Sequence, residues 1–471
     1  MSVLENHKVV VIGAGPGGYA AAFRASDLGM QVTLIDPNPN PGGVCLYRGC
    51  IPSKALLHAA KIVEDAKESA NIGLVFGQPN IDLDQLRNWK SSIVDKLTGG
   101  LGMLARQRKV TFIRGAAVFQ DSHSVTIKKA DGCEEIFAFD HAILATGSRN
   151  VQLPGVPDGV WDSAKALELP AIPGTLLIVG GGYIGLELGS VYAALGSRIT
   201  VVEALPQVMT GLDRDLVSVF LKKADGLFDN IHTQTKVEYI DSAEDKYRVR
   251  LSGNQSGDKD MIFDNVLVSI GRVPNTENLD LEKTDVQLDE KGFIRVYPNR
   301  QTHDPSIYAI GDITGGPLLA HKATHEGRTA AEAIAGEKAV FEPAAIPGVV
   351  YTNPEIAWCG LTATEAKTEE KAVKVVKFPW AASGRALTMG AANGITKLII
   401  DPASERVLGV GLAGPGAAEL ISEGALAIEM GALASDISRT VHPHPTLSET
   451  IMEAADVFYR TSTSVYRPRR G

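Results

Sequence analysis

Cysteine is scarce in this sequence. Four occur in 471 residues, at Cys45, Cys50, Cys133 and Cys359. A secreted scaffold built on disulfides needs a much higher density of cysteines. The scarcity therefore excludes that class of protein and favours one from a reducing compartment.

Long hydrophobic runs and a signal peptide are also missing. No stretch reaches the roughly 20 apolar residues of a membrane helix. The charged residues Glu5 and Lys8 precede an apolar run that passes into a glycine-rich turn rather than into a cleavage site. We therefore expect a cytoplasmic protein with no membrane partner.

Positive charge is not in excess. Lys and Arg total 46 against 55 Asp and Glu, which gives a formal net charge of −9. This balance argues against nucleic acid as the main partner. The 44% hydrophobic content excludes a disordered chain, and the length allows about three domains.

Glycine, in contrast, is concentrated in two similar turns at residues 13–18 and 180–185. Each turn lies between a β-branched apolar run and a helical pattern. An acid, Asp36 or Glu203, follows the first glycine of each turn by 23 residues. Two turns that only tighten packing would leave the matching acids unexplained. The repeat therefore predicts two Rossmann-like units that each bind a dinucleotide.

The acid of the second unit also predicts which dinucleotide binds there. A carboxylate at Glu203 repels the 2′-phosphate of NADP(H), and residues 204–206 supply no arginine to hold one. NAD(H) is therefore favoured. From about residue 341 onward, strand-like segments (348–351, 397–400, 407–412) alternate with helical ones (417–430, 449–459), which predicts a mixed α+β domain.

Cys45 and Cys50 follow the first dinucleotide unit. Residues five apart in an ideal helix rise about 7.5 Å, whereas a disulfide needs Cα atoms roughly 4.4–6.8 Å apart. Bridging them requires a distorted turn, which Gly49 permits. One alternative is that Cys45 and Cys50 are unpaired buried thiols, which is the state we assign to Cys133 and Cys359. Another is a zinc site, but no second pair of ligands accompanies these two cysteines. A redox-active disulfide beside a dinucleotide site explains the closely spaced pair better. A flavin would couple the electrons of that disulfide to hydride transfer by nicotinamide. We expect no metal.

Near the C-terminus, prolines on both sides fix the backbone of His444, and Glu449 follows five residues later. A rigid imidazole with a carboxylate partner is typical of a general base. Glu449 could instead form a capping box with Thr446, and His442 could be a packed histidine. We assign the base to His444 and leave His442 out.

Together these segments resemble the pyridine-nucleotide disulfide oxidoreductase family over essentially the whole chain. The residues that carry the resemblance are 45–54, 143–148, 180–189, 269–274, 309–322, 351–360, 378–385 and 442–449. It implies an α/β fold with two Rossmann-like dinucleotide-binding domains and a C-terminal α+β dimerisation domain. The implied boundaries are 1–149 and 272–342 for the FAD-binding domain, 150–271 for the NAD-binding domain and 343–471 for the interface domain.

The resemblance also implies residue roles. FAD would be bound by Gly13, Gly15, Gly18, Asp36, Lys54, Ala117, Gly147, Asp312 and Ala320. NAD(H) would be bound by Gly180, Gly182, Tyr183, Ile184, Gly185, Glu203, Val237 and Gly271, with Glu187 paired to Lys54 at the flavin. Tyr183 would either cover the flavin or pack at the helix start. The catalytic residues would be Cys45, Cys50, His444 and Glu449, the last two supplied across a homodimer.

The activity implied is oxidation of a protein-bound dihydrolipoyl group with reduction of NAD⁺. Its carrier would be a lipoyl domain of the acyltransferase component of a 2-oxoacid dehydrogenase complex or the lipoyl carrier of glycine cleavage. Because the first strand starts near residue 8, we expect that carrier on a separate protein. A glutathione-reductase-like enzyme and a non-catalytic flavoprotein subunit are the alternatives. Tyr47 and Arg48 stand where the family commonly has Asn-Val.

Overall fold

The structure, a computed structural model, describes residues 7–253 except 78, and 259–466. The expectation based on Glu5 lies outside these residues. Across the described part, no helix combines the length and apolar character needed to span a membrane.

Strands and helices alternate over parts of the first half of the chain, and antiparallel strands that follow one another directly lie between these parts. In chain order they are β1 (Lys8–Ile12), β2 (Gln31–Asp36), β3 (Thr111–Asp121), β4 (Ser124–Lys129), β5 (Glu134–Ala138), β6 (His141–Leu144), β7 (Ser148–Asn150), β8 (Thr175–Val179), β9 (Arg198–Val202), β10 (Asn230–His232), β11 (Thr235–Ala243), β12 (Lys246–Gly253), β13 (Lys259–Phe263), β14 (Asn265–Val268), β15 (Arg272–Pro274), β16 (Ile307–Ala309), β17 (Gly348–Val350), β18 (Ile356–Gly360), β19 (Lys374–Pro379), β20 (Ile395–Ile400) and β21 (Val407–Ala413).

The helices range from one turn to seven. They are α1 (Pro16–Asp27), α2 (Gly43–Arg48), α3 (Cys50–Glu68), α4 (Leu83–Gln107), α5 (Ser163–Glu168), α6 (Tyr183–Leu195), α7 (Arg214–Ala224), α8 (Ala320–Ile334), α9 (Ala363–Thr368), α10 (Gly384–Thr388), α11 (Ala417–Glu429), α12 (Ala434–Arg439) and α13 (Glu449–Tyr459).

The largest sheet has seven strands in the order β16-β6-β1-β2-β3-β4-β5. Its centre is parallel, and Val9, Val10 and Val11 of β1 are 0% exposed, as expected for a strand covered on both faces. Helices α1 and α8 pack against each other and against this sheet. Strand β2 lies on one side of β1 and β6 on the other, so the order in which strands are added to the sheet switches sides at β1. The turn after β1 faces the crevice that forms at this switch point.

The second dinucleotide unit is a smaller parallel sheet in the order β10-β9-β8-β14. The antiparallel strands β11, β12 and β13 pack on it through Ile240, Val249 and Leu251, which are buried. Strands β7 and β15 pair with each other where the chain enters and leaves this unit.

The C-terminal part is a five-stranded antiparallel sheet, β17-β18-β21-β20-β19, covered by α11 and α13. Its core includes Trp380, 0% exposed, whose indole N–H donates to Thr396. The mixed α+β region predicted from residue 341 onward is therefore present. The domain boundaries themselves stay predictions.

Candidate functional site: a disulfide centre between two dinucleotide turns

The glycines of the first turn are needed for two different reasons. Gly13 has a φ of +99°, and a side chain there would collide with the Ala145 carbonyl. One on Gly18 would collide with the carbonyl of Gly13. Around Gly15, however, no atom lies within 4 Å of the place a Cβ would take. Two glycines thus allow close backbone packing, and the third keeps a cradle open at the N-terminus of α1.

The second turn repeats this pattern. Gly180 has a φ of +109°, and its side chain would meet the Ser269 carbonyl, while one on Gly185 would meet the carbonyl of Gly180. Gly182 has nothing within 4 Å. Both open glycines are the N-cap residues of their helices, α1 and α6, where free N–H groups favour a phosphate.

The two acids also occupy equivalent positions. An Asp36 oxygen accepts the Ala14 N–H at 2.8 Å, and a Glu203 oxygen accepts the Gly181 N–H at 2.7 Å. The other oxygen of each binds a backbone N–H two residues further on, of Asn38 or Leu205. Each acid therefore lies at its glycine turn, where the ribose next to a bound pyrophosphate would be.

The residues present fit two dinucleotides. Besides the two open glycines, Gly147 has a φ of +71° and no atom within 4 Å of its Cβ position. Ala320 is the first residue of α8, and Asp312 lies in the turn that follows β16. Ala117 lies on β3, three residues past the partner of Asp36, and Val237 packs beside Val202 and Val268 in the second unit.

The cysteine pair lies at a break between two helices. Helix α2 ends at Arg48, Gly49 has a φ of −146° and a ψ of −116°, and α3 starts at Cys50. A side chain on Gly49 would come within 2.9 Å of the Val44 carbonyl. The distorted turn expected at Gly49 is therefore confirmed, and it brings the two thiols into hydrogen-bonding contact.

The two sulfurs differ in acidity. The hydrogen bond from Cys45 and the nearby charge of Lys54 lower the pKa of Cys50 to about 7, although burial acts in the opposite direction. The hydrogen bond to Cys50, burial and the Cys50 charge raise the pKa of Cys45. Of the two thiols, Cys50 is therefore the one that ionises more readily. Cys359 is unpaired and buried as expected; Cys133 is unpaired but exposed, because it lies in the β4–β5 turn.

Lys54 lies one helical turn after Cys50 and is held by two neighbours. Its ammonium pairs with Glu187 at 2.9 Å and lies 4.4 Å above the ring of Tyr351. The second Glu187 oxygen accepts the Tyr351 N–H at 2.9 Å. The expected Lys54–Glu187 pair is therefore formed, and the Glu187 side chain is 5% exposed. The positive charge of Lys54 acts on Cys50.

Asp312 is fixed by two residues, Ser148 and Arg272, that lie in segments carrying the family resemblance but had been given no individual role. Its carboxylate accepts the Ser148 hydroxyl at 2.5 Å, and that hydroxyl accepts the Arg272 Nε–H at 2.7 Å. Tyr183 lies at the start of α6, near Asp312 and Glu187. Burial has the largest effect on its phenol and raises the pKa, and the charges of Asp312 and Glu187 raise it further. Its ring is 39% exposed, so both roles considered for it stay predictions.

A buried ion cluster lies behind Asp312. Glu326, 0% exposed, accepts the Gly311 N–H at 2.6 Å and pairs with Arg300 at 2.7 Å and Lys322 at 3.0 Å. Sequence reasoning missed these residues, although Lys322 and Glu326 one turn apart on α8 are a recognisable spacing.

His444 and Glu449 form the pair that the sequence predicts. His444 Nδ1 lies 2.8 Å from a Glu449 oxygen, and the other oxygen accepts the Thr446 N–H at 2.7 Å. Burial alone would raise the pKa of Glu449, but the Thr446 N–H and the neighbouring histidines hold it below its ordinary value. The alternative capping box is not formed, because Ser448 is the N-cap of α13 and the Thr446 hydroxyl donates to the Pro443 carbonyl. His444 is 80% exposed and, in the part described, contacts neither cysteine by a hydrogen bond.

Comparisons with known proteins agree with this geometry. A family model described as pyridine nucleotide-disulphide oxidoreductase matches residues 7–327. A second, described as the dimerisation domain of that group, matches residues 346–455.

Relatives of known name match nearly the whole chain. The dihydrolipoyl dehydrogenase of Haemophilus influenzae is 48% identical over 461 residues, which are 97% of this chain and 96% of that protein. The dihydrolipoyl dehydrogenase of Thermus scotoductus is 43% identical and covers 98% of this chain and 99% of its own length.

Solved structures of similar fold include LpdA from Mycobacterium tuberculosis, with a TM-score of 0.89 and 26% identity over 96% of this chain and 99% of that one. The HOCl-induced flavoprotein disulfide reductase RclA from Escherichia coli superposes with a TM-score of 0.84 at 26% identity, covering 96% of this chain and 99% of that one.

Proposed function

The chain belongs to the pyridine nucleotide-disulphide oxidoreductase family, and we propose that it acts as an NAD-dependent dihydrolipoyl dehydrogenase. The fold class, the enzyme class and the cofactors FAD and NAD that the sequence led us to expect are confirmed by this membership. The roles of individual residues remain our proposal.

In this proposal the first glycine turn, Asp36 and Asp312 hold FAD, and the second turn with Glu203 holds NAD(H). Bound FAD supplies the chemistry that links thiolate oxidation to hydride transfer to NAD⁺. The chain's own residues perform the dithiol step. Here Lys54, fixed by Glu187, stabilises the thiolate that this step leaves on Cys50.

The dithiol step begins when His444 accepts a proton from one thiol of the dihydrolipoyl group. The resulting thiolate attacks Cys45 of the Cys45–Cys50 disulfide, which breaks the S–S bond and leaves Cys50 as thiolate. The second substrate thiol then displaces Cys45, which takes up that thiol's proton. Lipoyl disulfide is released, two electrons having passed from substrate to the cysteine pair, and Glu449 stabilises the protonated His444.

One observation carries this proposal: Cys45 and Cys50 are in hydrogen-bonding contact at the turn of Gly49, and the charge of Lys54, fixed by Glu187, acts on Cys50. This contact supports Cys50 as the sulfur that holds the thiolate and Cys45 as the sulfur that exchanges with substrate, and the directions in which the two pKa values move agree with it. The two roles require this order, because the sulfur that leaves in the first exchange must be the better leaving group.

We place His444 opposite the disulfide of a second copy of the chain. It is 80% exposed and lies in the region that matches the dimerisation domain. Leu426, Met430 and Val441 of the same region are 63%, 75% and 94% exposed, and exposed apolar side chains in a region matching a dimerisation domain support self-association. The carriers we propose are the lipoyl domains of a 2-oxoacid dehydrogenase complex or the lipoyl carrier of glycine cleavage, in the cytoplasm.

The test is anaerobic turnover of the FAD-loaded protein with dihydrolipoamide and NAD⁺, beside glutathione and NADP⁺. We expect the first pair to be used and the His444→Gln variant to lose dithiol oxidation by at least about 10²-fold while retaining flavin. His123→Gln is the control, because His123 lies far along the chain near Phe139. Wild-type-like turnover of His444→Gln, or preference for glutathione, contradicts the proposal.

A further inference from the structure

His442, which the sequence reasoning left out, is held between two hydrogen-bond acceptors. Its Nδ1 lies 2.8 Å from the Thr440 carbonyl oxygen, and its Nε2 lies 2.8 Å from a carboxylate oxygen of Glu423. A carbonyl and an ionised carboxylate have no proton to donate. When Glu423 is ionised, only the imidazolium form of His442 can donate to both acceptors at once, and the contact is then an ion pair. The side chain is 5% exposed, against 80% for His444.

The pair joins two parts of the C-terminal region. Glu423 belongs to α11, whereas His442 lies in the segment between α12 and α13, two residues before His444. The same segment is braced from within, because the Thr446 hydroxyl donates to the Pro443 carbonyl at 2.7 Å. His442 therefore anchors the segment to α11 on one side of His444, and Glu449 anchors it to α13 on the other.

The pair also sets local charge. The titratable groups around His442 are Glu423 from α11, Glu449 at the start of α13, and His444 on its own segment. The His442 charge is one of the influences that oppose burial and keep the pKa of Glu449 low. With Glu423 ionised, the His442 cation is balanced locally and adds little net charge beside the base.

We propose that the His442–Glu423 ion pair is a positioning device for the proposed base His444: it fixes the segment that carries His444 and keeps the charge next to it neutral. This inference rests on the proposed function, since it assigns a role only within dithiol oxidation. His442 is a positioning residue and touches no reacting atom.

The test uses His442→Gln, Glu423→Gln and the double variant in the FAD-loaded protein. The rate of dihydrolipoamide oxidation is measured from pH 5.5 to 9, together with NADH-dependent reduction of ferricyanide, which needs no dithiol base. Glu423→Gln leaves an unbalanced cation and should move the acid limb of the kcat/KM profile to lower pH by about half a unit. His442→Gln leaves an unbalanced anion and should move it to higher pH by a similar amount. The double variant should bring the limb back.

We also expect kcat for dithiol oxidation to fall about tenfold in His442→Gln, with KM and the ferricyanide rate within about twofold of wild type. Tyr459→Phe is the structural control, because it removes a hydrogen bond to Glu405 elsewhere in the same region. Limbs that move in the same direction in both single variants, or that do not move, overturn the inference. Should His442→Gln fail to fold, the isosteric Glu423→Gln still decides it. A wild-type protein that does not oxidise dihydrolipoamide refutes the proposed function instead.

Discussion

Glu326 offers the sharpest test of how the site is supported. It is 0% exposed and holds two cations, Arg300 at 2.7 Å and Lys322 at 3.0 Å, together with the Gly311 N–H. Glu326→Gln keeps the shape of the side chain but removes its charge, so the buried Lys322 and the partly buried Arg300 both lose their counter-ion. Breaking a buried pair in this way costs about 3–5 kcal/mol. For a domain whose stability is about 5–15 kcal/mol, that is a large fraction.

The cost should appear first at the flavin site, because Gly311 is followed by Asp312. The amide of Glu326→Gln has a single acceptor oxygen, which cannot serve both the cations and the Gly311 N–H as the two carboxylate oxygens do. The turn at Gly311 is then held less firmly, and Asp312 presents its carboxylate less well to a bound FAD. We therefore expect Glu326→Gln to release flavin at a clearly lower urea concentration than wild type. The measurement is an equilibrium urea titration of the FAD-loaded protein followed by the rise in free-flavin fluorescence.

Glu332→Gln is the matched control, since it makes the same chemical change on the same helix α8. Glu332 pairs with Arg24 at 2.8 Å, but the two side chains are 26% and 37% exposed. An exposed pair contributes only about 0–1 kcal/mol. Equal loss of stability in the two variants, or a Glu326→Gln variant within about 1 kcal/mol of wild type, would refute the reasoning about burial.

Three further predictions concern other parts of the site. Lys54→Met should raise the pKa of Cys50 above its value of about 7, because the ammonium that favours the thiolate is gone; alkylation of the reduced protein then moves to higher pH, while Lys61→Met, on the exposed face of α3, should leave it in place. Glu203→Ala should reduce the preference for NAD⁺ over NADP⁺, measured as the ratio of kcat/KM, by about tenfold or more; an unchanged ratio contradicts the role of this acid. Asp213→Asn should cost about 1–3 kcal/mol of unfolding free energy near neutral pH, since the nearly buried Lys397 loses one of its two carboxylate partners, at 2.6 Å, and keeps only Asp215, at 2.9 Å. Burial would raise the pKa of Asp213, but Lys397 and Thr364 hold it below 3.8 in the folded state. The stabilisation is therefore present above 3.8 and disappears as the pH falls through the folded pKa, where variant and wild type should converge in urea unfolding.

The glycine turns could be predicted because their requirements are local. Close packing needs two glycines in each turn, and phosphate approach needs the third, so the spacing itself carries the information. The turn at Gly49 could be predicted for the same reason, because a bridge between Cys45 and Cys50, five residues apart, requires the chain to leave the ideal helix there. His444 and Glu449 were found for a similar reason, since the bond between them spans only five residues.

The supporting contacts could not be predicted, because their partners lie far apart in the chain. The Ser148–Asp312 bond joins residues 164 positions apart, and so does the bond from the Tyr351 N–H to Glu187. Neither residue pair has a local pattern that sets it apart from ordinary surface side chains. His442 was left out for a different reason: its sequence context fits a packed histidine, and the two acceptors on either side of its ring come together only in the fold.

The strands that enter and leave the second unit connect the two cofactor sites. Strand β7 carries Ser148 and β15 carries Arg272, and the two strands pair where the chain crosses. Arg272 donates to both the hydroxyl and the carbonyl of Ser148, and that hydroxyl donates to Asp312. A continuous chain of hydrogen bonds therefore links the crossing strands to the carboxylate that we propose holds FAD. In our proposal the glycine turns select the ligands, whereas this crossing fixes where one ligand lies relative to the other, and hydride transfer between them would depend on that relation.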